Sequence, residues 1–371
     1  MPAKFVETFE TSSQTMPQGR LNANAWQFEG DARSRLRHKL RGAHPTLKAV
    51  YGAPLYGIKT GLNEAFVLSR AERDTLLDKD PRSSDLLKPY LEGKDLKKWR
   101  VESQDLWLIY IPKNRVRIDD YPAIKAHLLP FKAALEKRAT KQAWFELQQA
   151  QEAYLPAMDA PKLVYVDMSD KPNFSIEKNH AALANTAYFI GNADYFLLAL
   201  MTSKVMWYFL SALTTAYRGG FYRLFTQHVE TLPVPAAPNA LKASLSALSQ
   251  AAQTAAESRR DEIARFGRAA LRDLAPGSLT NLTAKGAARL PTAWQDGIPR
   301  FSEFTAELKK RFKRELNLVE RNDWDAAVTQ AREKVAALTR QITEAEREID
   351  AIVYALFDLT TEEIALISET S

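Results

Sequence analysis

The segment LPVPAAPN, from Leu232 to Asn239, divides the chain, because three of its eight residues are proline. Proline lacks a backbone N–H and restricts φ, so this run favours an extended linker over a helix. Asn239 is a suitable N-cap for a following helix, along which Leu241 and Leu245 begin a helical spacing. The 371 residues are therefore expected to form a flexible arm over 1–25, a first domain over 26–235 and a helical region over 236–371.

The region before the linker alternates short apolar runs with helical stretches. Four runs rich in β-branched and aromatic residues predict strands: Ala65–Leu68, Leu106–Ile111, Leu163–Val166 and Tyr188–Ile190. Two stretches predict helices: Tyr121–Arg138, and Asp194–Leu213 with Asp194 as its N-cap. The expected fold class is therefore α+β, with a mixed α/β domain followed by a helical C-terminal region.

The C-terminal region contains the most regular apolar pattern of the chain. From Trp324 to Leu356, ten apolar residues follow one another at alternating spacings of four and three, which is a heptad pattern. It predicts a long helix that packs lengthwise against another helix, either in an antiparallel hairpin within the chain or in a coiled coil between chains. The small residues Ala331 and Ala345 favour the hairpin, because they allow close packing.

Composition excludes several kinds of site and location. The sequence contains no cysteine, which excludes disulfides, thiolate metal sites and cysteine nucleophiles. It has no apolar run of about 18 residues, and its N-terminus is polar, so neither a membrane span nor a secretion signal is expected. The expected location is cytoplasmic.

The familiar catalytic motifs are missing from the sequence. Amino-methylating enzymes need an Asn/Asp-Pro-Pro-aromatic turn for the target amine and a glycine-rich turn for S-adenosylmethionine, and neither occurs. The five histidines are too scattered for a known metal motif. A nuclease-like fragment, Glu92-Gly93-Lys94 with Asp85 upstream, is too short to be specific. We therefore expect no catalytic residue, no metal site and no cofactor site on this chain.

Charge is distributed unevenly along the chain. The 51 Lys and Arg residues exceed the 45 Asp and Glu residues, which gives a formal net charge of +6. From Phe301 onward ten cations stand against fifteen anions, so residues 1–300 carry a net charge of +11. This basic excess is compatible with a polyanion such as DNA as the partner, or with an ordinary basic surface.

Three segments combine cations, planar side chains and glycine, which are the features that contact a sugar-phosphate backbone and base edges. The first is Gly57–Asn63, here called the glycine turn, in which two glycines flank Lys59 and Thr60. Backbone N–H groups could approach a phosphate there, and Asn63 could pair with adenine. The alternative is a local hairpin with a solvated lysine.

The second and third segments are richer in charge and aromatic rings. The basic run places four cations and one tryptophan in seven residues: Lys94, Lys97, Lys98, Trp99 and Arg100. It could clamp phosphates or be a solvated face. The Arg-Gly loop places arginines and aromatic residues around two glycines: Tyr217, Arg218, Gly219, Gly220, Phe221, Tyr222 and Arg223. Its arginines could read guanine, whereas a helix C-cap would explain one of its glycines only.

Around these segments the sequence resembles a known family. Seven motifs occur in order between about Ala49 and Pro235: GIKTGLNEAFVL, LLKPYLEGKDLKKW, WLIYIP, YPAIKAHLLPFKAALEKR, PKLVYVDMS, YFLLALMTSKVMWYFL and AYRGGFYRLFTQHVETLPVP. Together they resemble the TaqI-like C-terminal specificity domain of adenine-specific DNA methyltransferases in type II restriction-modification and related phage-defence systems. Two later motifs, SEFTAELKKRF and IDAIVYALFDLTTEEIALI, resemble the helical C-terminus of large fused enzymes in that family.

The resemblance implies a target-recognition module that binds double-stranded DNA through the three segments. Catalysis and S-adenosylmethionine binding are then expected on a methyltransferase domain or subunit supplied elsewhere. The acidic tail after Phe301 is expected to be dispensable for DNA binding. Two other functions stay open: methylation or cleavage of DNA by the chain itself, and a protein-interaction role in a defence complex.

Overall fold

The computed structural model describes residues 30–214, 220–275 and 297–369, together with Phe9, Ser13 and Trp294. Apart from Phe9 and Ser13, the arm predicted over 1–25 lies outside the described residues. Tyr217, Arg218 and Gly219 of the Arg-Gly loop also lie outside them.

Helices and strands alternate up to the proline linker, and long helices follow it. The helices are α1 Asp31–Arg41, α2 Leu47–Tyr51, α3 Asn63–Phe66, α4 Arg70–Lys79, α5 Pro122–Leu128, α6 Lys132–Leu135, α7 Leu155–Met158, α8 Tyr195–Thr202, α9 Lys204–Leu213, α10 Thr226–Val229, α11 Asn239–Leu274, α12 Phe301–Phe312, α13 Leu318–Leu356 and α14 Thr361–Ser368. The strands are β1 Leu55–Tyr56, β2 Val67–Leu68, β3 Leu87–Leu91, β4 Leu96–Lys97, β5 Arg100–Val101, β6 Leu106–Ile109, β7 Lys162–Val166, β8 Met168–Ser169, β9 Phe174–Glu177, β10 Ala182–Leu183, β11 Ala187–Gly191 and β12 Tyr222–Arg223. This mixed α and β structure with long C-terminal helices confirms the predicted fold class.

Four antiparallel strands form the first sheet, in the order β1-β11-β7-β9. Strands β7 and β11 confirm the predicted strands Leu163–Val166 and Tyr188–Ile190. Lys162 of β7 lies opposite Glu177 of β9, and their buried side chains form an ion pair of 2.6 Å. The Lys162 ammonium also donates to Met158 O (2.6 Å). This buried charge is therefore both paired and hydrogen-bonded, as a stable fold requires.

The second sheet has the order β10-β3-β6-β2, in which β10 runs parallel to β3 and the other pairs are antiparallel. Strand β6 confirms the first four residues of the predicted strand Leu106–Ile111. The predicted strand Ala65–Leu68 is wrong in its first half, because α3 continues to Phe66. Ala65 and Phe66 are fully buried in that helical turn. A short apolar run does not distinguish a buried helical turn from a strand.

Pro130 interrupts the helix predicted over Tyr121–Arg138. Helix α5 ends at Leu128, a 3-10 turn spans Leu129–Phe131, and α6 ends at Leu135. Proline has no N–H to donate and its ring crowds the preceding turn, so a regular α-helix does not continue through it.

The apolar stretch Asp194–Leu213 forms two helices that meet at Ser203. Asp194 is the predicted N-cap, since its Oδ1 accepts a hydrogen bond from Leu197 N (2.8 Å). Ser203 has an extended backbone, and its hydroxyl accepts from Met206 N to cap α9. In the part of the chain that the structure describes, no single helix is long and apolar enough to cross a membrane. Helices α8 and α9 pass that test only as a pair, bent by 65°.

The long helices α11 and α13 pack lengthwise in opposite directions. Phe266 of α11 contacts Trp324 near the start of α13, with ring centroids 6.1 Å apart. Earlier on α11, Arg259 Nε donates to Thr339 Oγ1 further along α13 (3.0 Å). The structure thus contains the antiparallel hairpin, one of the two predicted arrangements. The predicted N-cap at Asn239 is wrong: helix α11 already includes this residue, and Pro238 takes the cap position.

The two parts of the chain share a hydrophobic core. One cluster contains Leu197 and Trp207 of the first domain together with Ile349 and Val353 of α13. Helix α11 also joins the open edge of the first sheet, because the Gln253 amide exchanges two hydrogen bonds of 2.8 Å with the backbone of β9. The helical region is therefore packed into the first domain rather than tethered to it by the linker.

Candidate nucleic-acid interface

The glycine turn lies beside the first sheet and is not a local hairpin. Lys59 exchanges two backbone hydrogen bonds with Gln149 (3.0 and 2.9 Å), a partner far along the chain. A Cβ at Gly57 would lie only 2.2 Å from Ala184 O, so the close backbone approach requires glycine. The Lys59 side chain is exposed and forms no ion pair with any residue that the structure describes. The hairpin alternative is therefore wrong, and the lysine is available to a phosphate.

Two polar side chains of the glycine turn bind each other. Thr60 is buried, and its hydroxyl donates to Asn63 Oδ1 (2.6 Å) at the first residue of α3. Gly61 has a φ of +83°, which glycine adopts without steric strain. Asn63 is exposed, and its amide N–H groups make no hydrogen bond to a described residue. Thr60 thus holds the turn, whereas Lys59 and Asn63 face solvent.

The basic run is largely neutralised by carboxylates. It forms the hairpin of β4 and β5, which turns at Lys98 and Trp99. Three of its cations form ion pairs: Lys94 with Glu92, Lys98 with Glu346 (2.7 Å) and Arg100 with Glu102 (2.6 Å). Lys97 has no such pair within the described ranges. The predicted clamp of four cations is therefore reduced mainly to Lys97.

Trp99 faces the interior. Its side chain is 2% exposed, and its indole N–H donates to Glu346 Oε1 of α13 (2.6 Å). Its backbone is left-handed, with a φ of 65°, and its N–H donates to Phe174 O (2.9 Å). A ring held in this contact cannot stack on a base, so the prediction that Trp99 contacts DNA is wrong. Trp99 connects the first domain to α13.

Asp95 is buried and is the last residue of the 3-10 turn Gly93–Asp95, which precedes β4. Its Oδ2 accepts a hydrogen bond from Glu92 N (2.8 Å), whereas its Oδ1 has no hydrogen-bond partner among the described residues. Burial raises the pKa of Asp95 to about 6, and the hydrogen bond from Glu92 N opposes that rise. The turn therefore contains a carboxyl whose charge is disfavoured in the folded protein.

The nuclease-like fragment does not form a metal centre in the described residues. They contain no group of three or more His, Asp or Glu side chains that could hold a metal ion. Glu92 pairs with Lys94, and Asp85 accepts a hydrogen bond from the Tyr121 hydroxyl (3.4 Å). These side chains are used in separate local contacts.

The described part of the Arg-Gly loop begins at Gly220, which has a φ of +80° and open space around it. Phe221 is 36% exposed. Tyr222 and Arg223 form β12, which pairs with β8, and the Arg223 guanidinium lies 3.4 Å from Asp167 Oδ2. Burial raises the pKa of Asp167, and Arg223 opposes that rise. Tyr222 and Arg223 therefore anchor the loop, while Gly220 and Phe221 are on its exposed side.

Hydrogen bonds connect the three segments. Gly57 N of the glycine turn donates to Ala187 O (3.0 Å), and Gly93 N, just before the basic run, donates to Thr186 Oγ1 (3.2 Å). Asn173 connects the basic run to the Arg-Gly loop, because its Oδ1 accepts from Lys98 N (3.1 Å) and its Nδ2 donates to β8 (2.9 Å). The segments thus belong to one contiguous part of the first domain.

Residues 139–151 also contact the glycine turn, although the sequence patterns did not single them out. This segment contains Gln149, the backbone partner of Lys59. The sequence signal that could have found it is the glutamine-rich run Gln148-Gln149-Ala150-Gln151, which follows the cations Lys137, Arg138 and Lys141.

Two protein families match parts of this chain. Residues 88–234 match the TaqI-like C-terminal specificity domain. The match includes the basic run and the Arg-Gly loop, whereas the glycine turn precedes the matched residues. Residues 238–353 match a domain of unknown function, DUF8810, so the two matches meet in the proline linker.

Similar proteins are longer than this chain. The type II methyltransferase M.PaeR7I of Pseudomonas aeruginosa is 24% identical over 221 residues, which cover 57% of this chain and 37% of that protein. The solved structure of the type IIL restriction-modification enzyme MmeI in complex with DNA aligns with 86% of this chain and 35% of that chain, at a TM-score of 0.47 and 12% identity. The chain with its specificity domain thus spans little more than a third of the length of these proteins.

Proposed function

We propose that this chain is the sequence-specific DNA-recognition module of an adenine-specific restriction-modification system. In this proposal it acts in the cytoplasm, in phage defence, with a methyltransferase domain supplied elsewhere that binds S-adenosylmethionine. The observation that carries the proposal is the specificity-domain match over residues 88–234, together with the likeness to a type II methyltransferase.

The proposed DNA surface consists of the solvent-accessible side chains of the three segments. Lys59 and Asn63 are exposed, and Lys97 is half-buried; neither lysine forms an ion pair with a described residue. Gly220 and Phe221 supply the exposed edge of the Arg-Gly loop, and its residues Tyr217, Arg218 and Gly219 are proposed on their sequence alone. Phosphate contacts position such a protein on DNA, whereas base contacts give it specificity.

Selection from a random duplex library tests the proposal. The full chain, immobilised without a methyltransferase, should enrich one short sequence motif over successive rounds. Its affinity for the enriched duplex should exceed that for a scrambled duplex by about 10³-fold or more at physiological salt. Equal affinity for the two duplexes would remove the proposed role in target recognition.

The division of labour has its own test. Calorimetry with S-adenosylmethionine should detect no binding to the chain alone, and labelled S-adenosylmethionine should transfer no methyl group to the enriched duplex. Micromolar cofactor binding by this chain would contradict the proposal that S-adenosylmethionine binds to another domain.

A further inference from the structure

Arg138 connects the loop of residues 139–151 to the glycine turn through several hydrogen bonds. Its guanidinium donates to Thr60 O (3.0 Å) in the turn and to Glu146 O and Trp144 O (2.8 Å each) in the loop. Its Nε donates to Leu135 O (2.9 Å) at the end of α6. Charged donors make the stronger hydrogen bonds, and one planar group that binds several carbonyls fixes their relative positions.

The Glu146 side chain holds the same loop through further hydrogen bonds. This residue is 3% exposed, and its two carboxylate oxygens accept from Asn114 N (2.6 Å) and Ala143 N (2.8 Å). Arg138 and Glu146 thus tie the loop to α6, to the glycine turn and to the segment that follows β6. A loop fixed at several points can present side chains without a large entropic cost on binding.

The fixed loop borders a polar cleft in which cations lack partners. Its polar lining residues are Lys113, Thr140, Lys141, Gln142, Gln148, Gln151 and Glu152, and the apolar Leu147 and Ala150 complete the lining. Lys113 and Lys141 are exposed and form no ion pair with any described residue. The acid of the cleft, Glu152, is already paired with Arg115 (2.7 Å). The cleft therefore has a net positive charge, and Lys59 lies next to it through its pairing with Gln149.

The side-chain amides of Gln148 and Gln151 are unoccupied: neither makes a hydrogen bond to a residue within the described ranges. Gln151 also has a left-handed backbone, with φ of 55° and ψ of 40°, which is uncommon for a residue with a side chain. Free amides flanked by unpaired lysines are suited to a DNA groove. There the lysines can bind phosphates, and the amides can hydrogen-bond to base edges.

We infer that this cleft reads DNA bases, with Gln148 and Gln151 contacting base edges and Lys113 and Lys141 contacting the flanking phosphates. The base favoured by this chemistry is adenine, because a glutamine amide pairs with its N6 and N7 in two hydrogen bonds. The inference rests on the proposed function and adds specificity-determining residues to it.

The test repeats the duplex selection with full-length Gln148→Ala and Gln151→Asn variants. Asparagine tolerates the left-handed backbone of residue 151 and shortens the amide by one methylene group, so it removes the contact without adding strain. Each variant should lose preference at a specific adenine, with discrimination there lower by about 5- to 150-fold. The matched control is Gln330→Ala, which removes an exposed glutamine of α13.

The lysines should behave differently in the same assay. Lys113→Ala and Lys141→Ala should keep the enriched motif but weaken binding to every duplex, and each should lower the slope of log affinity against log salt by about one unit. Lys334→Ala, on the exposed side of α13, serves as the control for removing a positive charge.

The outcomes separate this inference from the proposed function. If the wild-type chain enriches a motif and both glutamine variants enrich the same motif equally strongly, the inference is wrong and the proposed function still holds. A wild-type chain that enriches no motif overturns both. Preference lost at an adenine in either glutamine variant, with the control unchanged, supports the assignment.

Discussion

Single cations on this surface differ according to whether a carboxylate lies beside them. Lys59 is exposed without an ion pair to a described residue, whereas Arg100 is bound to Glu102 at 2.6 Å. A cation that is already paired must give up that partner before it can bind a phosphate. The net positive charge that is counted from the sequence therefore overestimates the positive charge that is available to bind DNA.

We predict that Lys59→Ala weakens binding to all duplexes and lowers the salt slope by about one unit, because it removes one phosphate contact. Arg100→Ala should change the slope less, since Glu102 already offsets the charge that it removes. Fluorescence anisotropy with labelled duplexes over a salt series measures both effects. Equal slopes for Lys59→Ala and the wild type would remove Lys59 from the interface.

Asp95 should make stability depend on pH. Its pKa is raised by burial from 3.8 to about 6, so the folded protein holds this proton at a pH where the unfolded chain has released it. The stabilising contribution is complete below about pH 4 and is lost as pH rises through about 6. The free energy of unfolding of the wild type should therefore fall, relative to Asp95→Asn, by on the order of 1 kcal/mol between these values.

Denaturant unfolding of both proteins at several pH values checks the effect of Asp95. Parallel pH curves for the wild type and Asp95→Asn would show that another group controls any dependence. A wild type that gains stability relative to the variant as pH rises would contradict the sign.

At the scale of elements, the β4–β5 hairpin is attached to α13 by one carboxylate. Glu346 accepts the indole N–H of Trp99 (2.6 Å) and also pairs with Lys98 (2.7 Å). Because Trp99 is buried, loss of Glu346 leaves an indole N–H without a partner. The basic run thus has a structural role that its charge pattern alone does not indicate.

Glu346→Ala should lower the free energy of unfolding by about 1–3 kcal/mol, the cost of leaving a buried donor without a hydrogen-bond partner. Glu346→Gln should lower it less, because the glutamine carbonyl can still accept from the indole. Urea unfolding monitored by tryptophan fluorescence measures these changes. Glu348→Ala, which changes an exposed acid of the same helix, is the control, and an equal loss in that variant would contradict the role of Glu346.

For the whole molecule, the acidic tail is part of the fold rather than an appendage. Ile349 and Val353 belong to the same hydrophobic cluster as Leu197 of the first domain. Lys39 of α1 also pairs with Glu363 of α14 (2.7 Å), which connects the start of the described chain to its end. This packing indicates that the first domain depends on the tail for stability, whereas the expectation that the tail is dispensable for DNA binding stays a prediction.

We predict that a chain ending at Arg300 loses its cooperative thermal unfolding transition, because the deletion uncovers the apolar side chains that α13 buries. Co-expression of residues 301–371 as a separate chain should restore the transition, since the missing surface is supplied again. Calorimetry checks both results. A truncated chain that unfolds cooperatively near the wild-type temperature would show that the first domain is stable without its tail.

The sequence by itself determined those helices and strands that are set by residues within the same segment. The run of β-branched and aromatic residues in Leu163–Val166 predicted β7, Asp194 predicted a capped helix, and the apolar spacing from Trp324 to Leu356 predicted α13. Neighbouring residues set these features through backbone preference and side-chain periodicity, which are readable along the chain. The motifs between Ala49 and Pro235 likewise predicted the specificity domain that the family match places at residues 88–234.

Only the tertiary structure decided which side chains of the candidate site are free. The Trp99 indole donates to Glu346, 247 residues later, and Lys98 forms an ion pair with the same carboxylate. A cation is available to DNA when no carboxylate from elsewhere in the fold reaches it, and a ring is available when nothing buries it. Both conditions depend on residues that are distant in sequence and adjacent in space, so no local pattern encodes them.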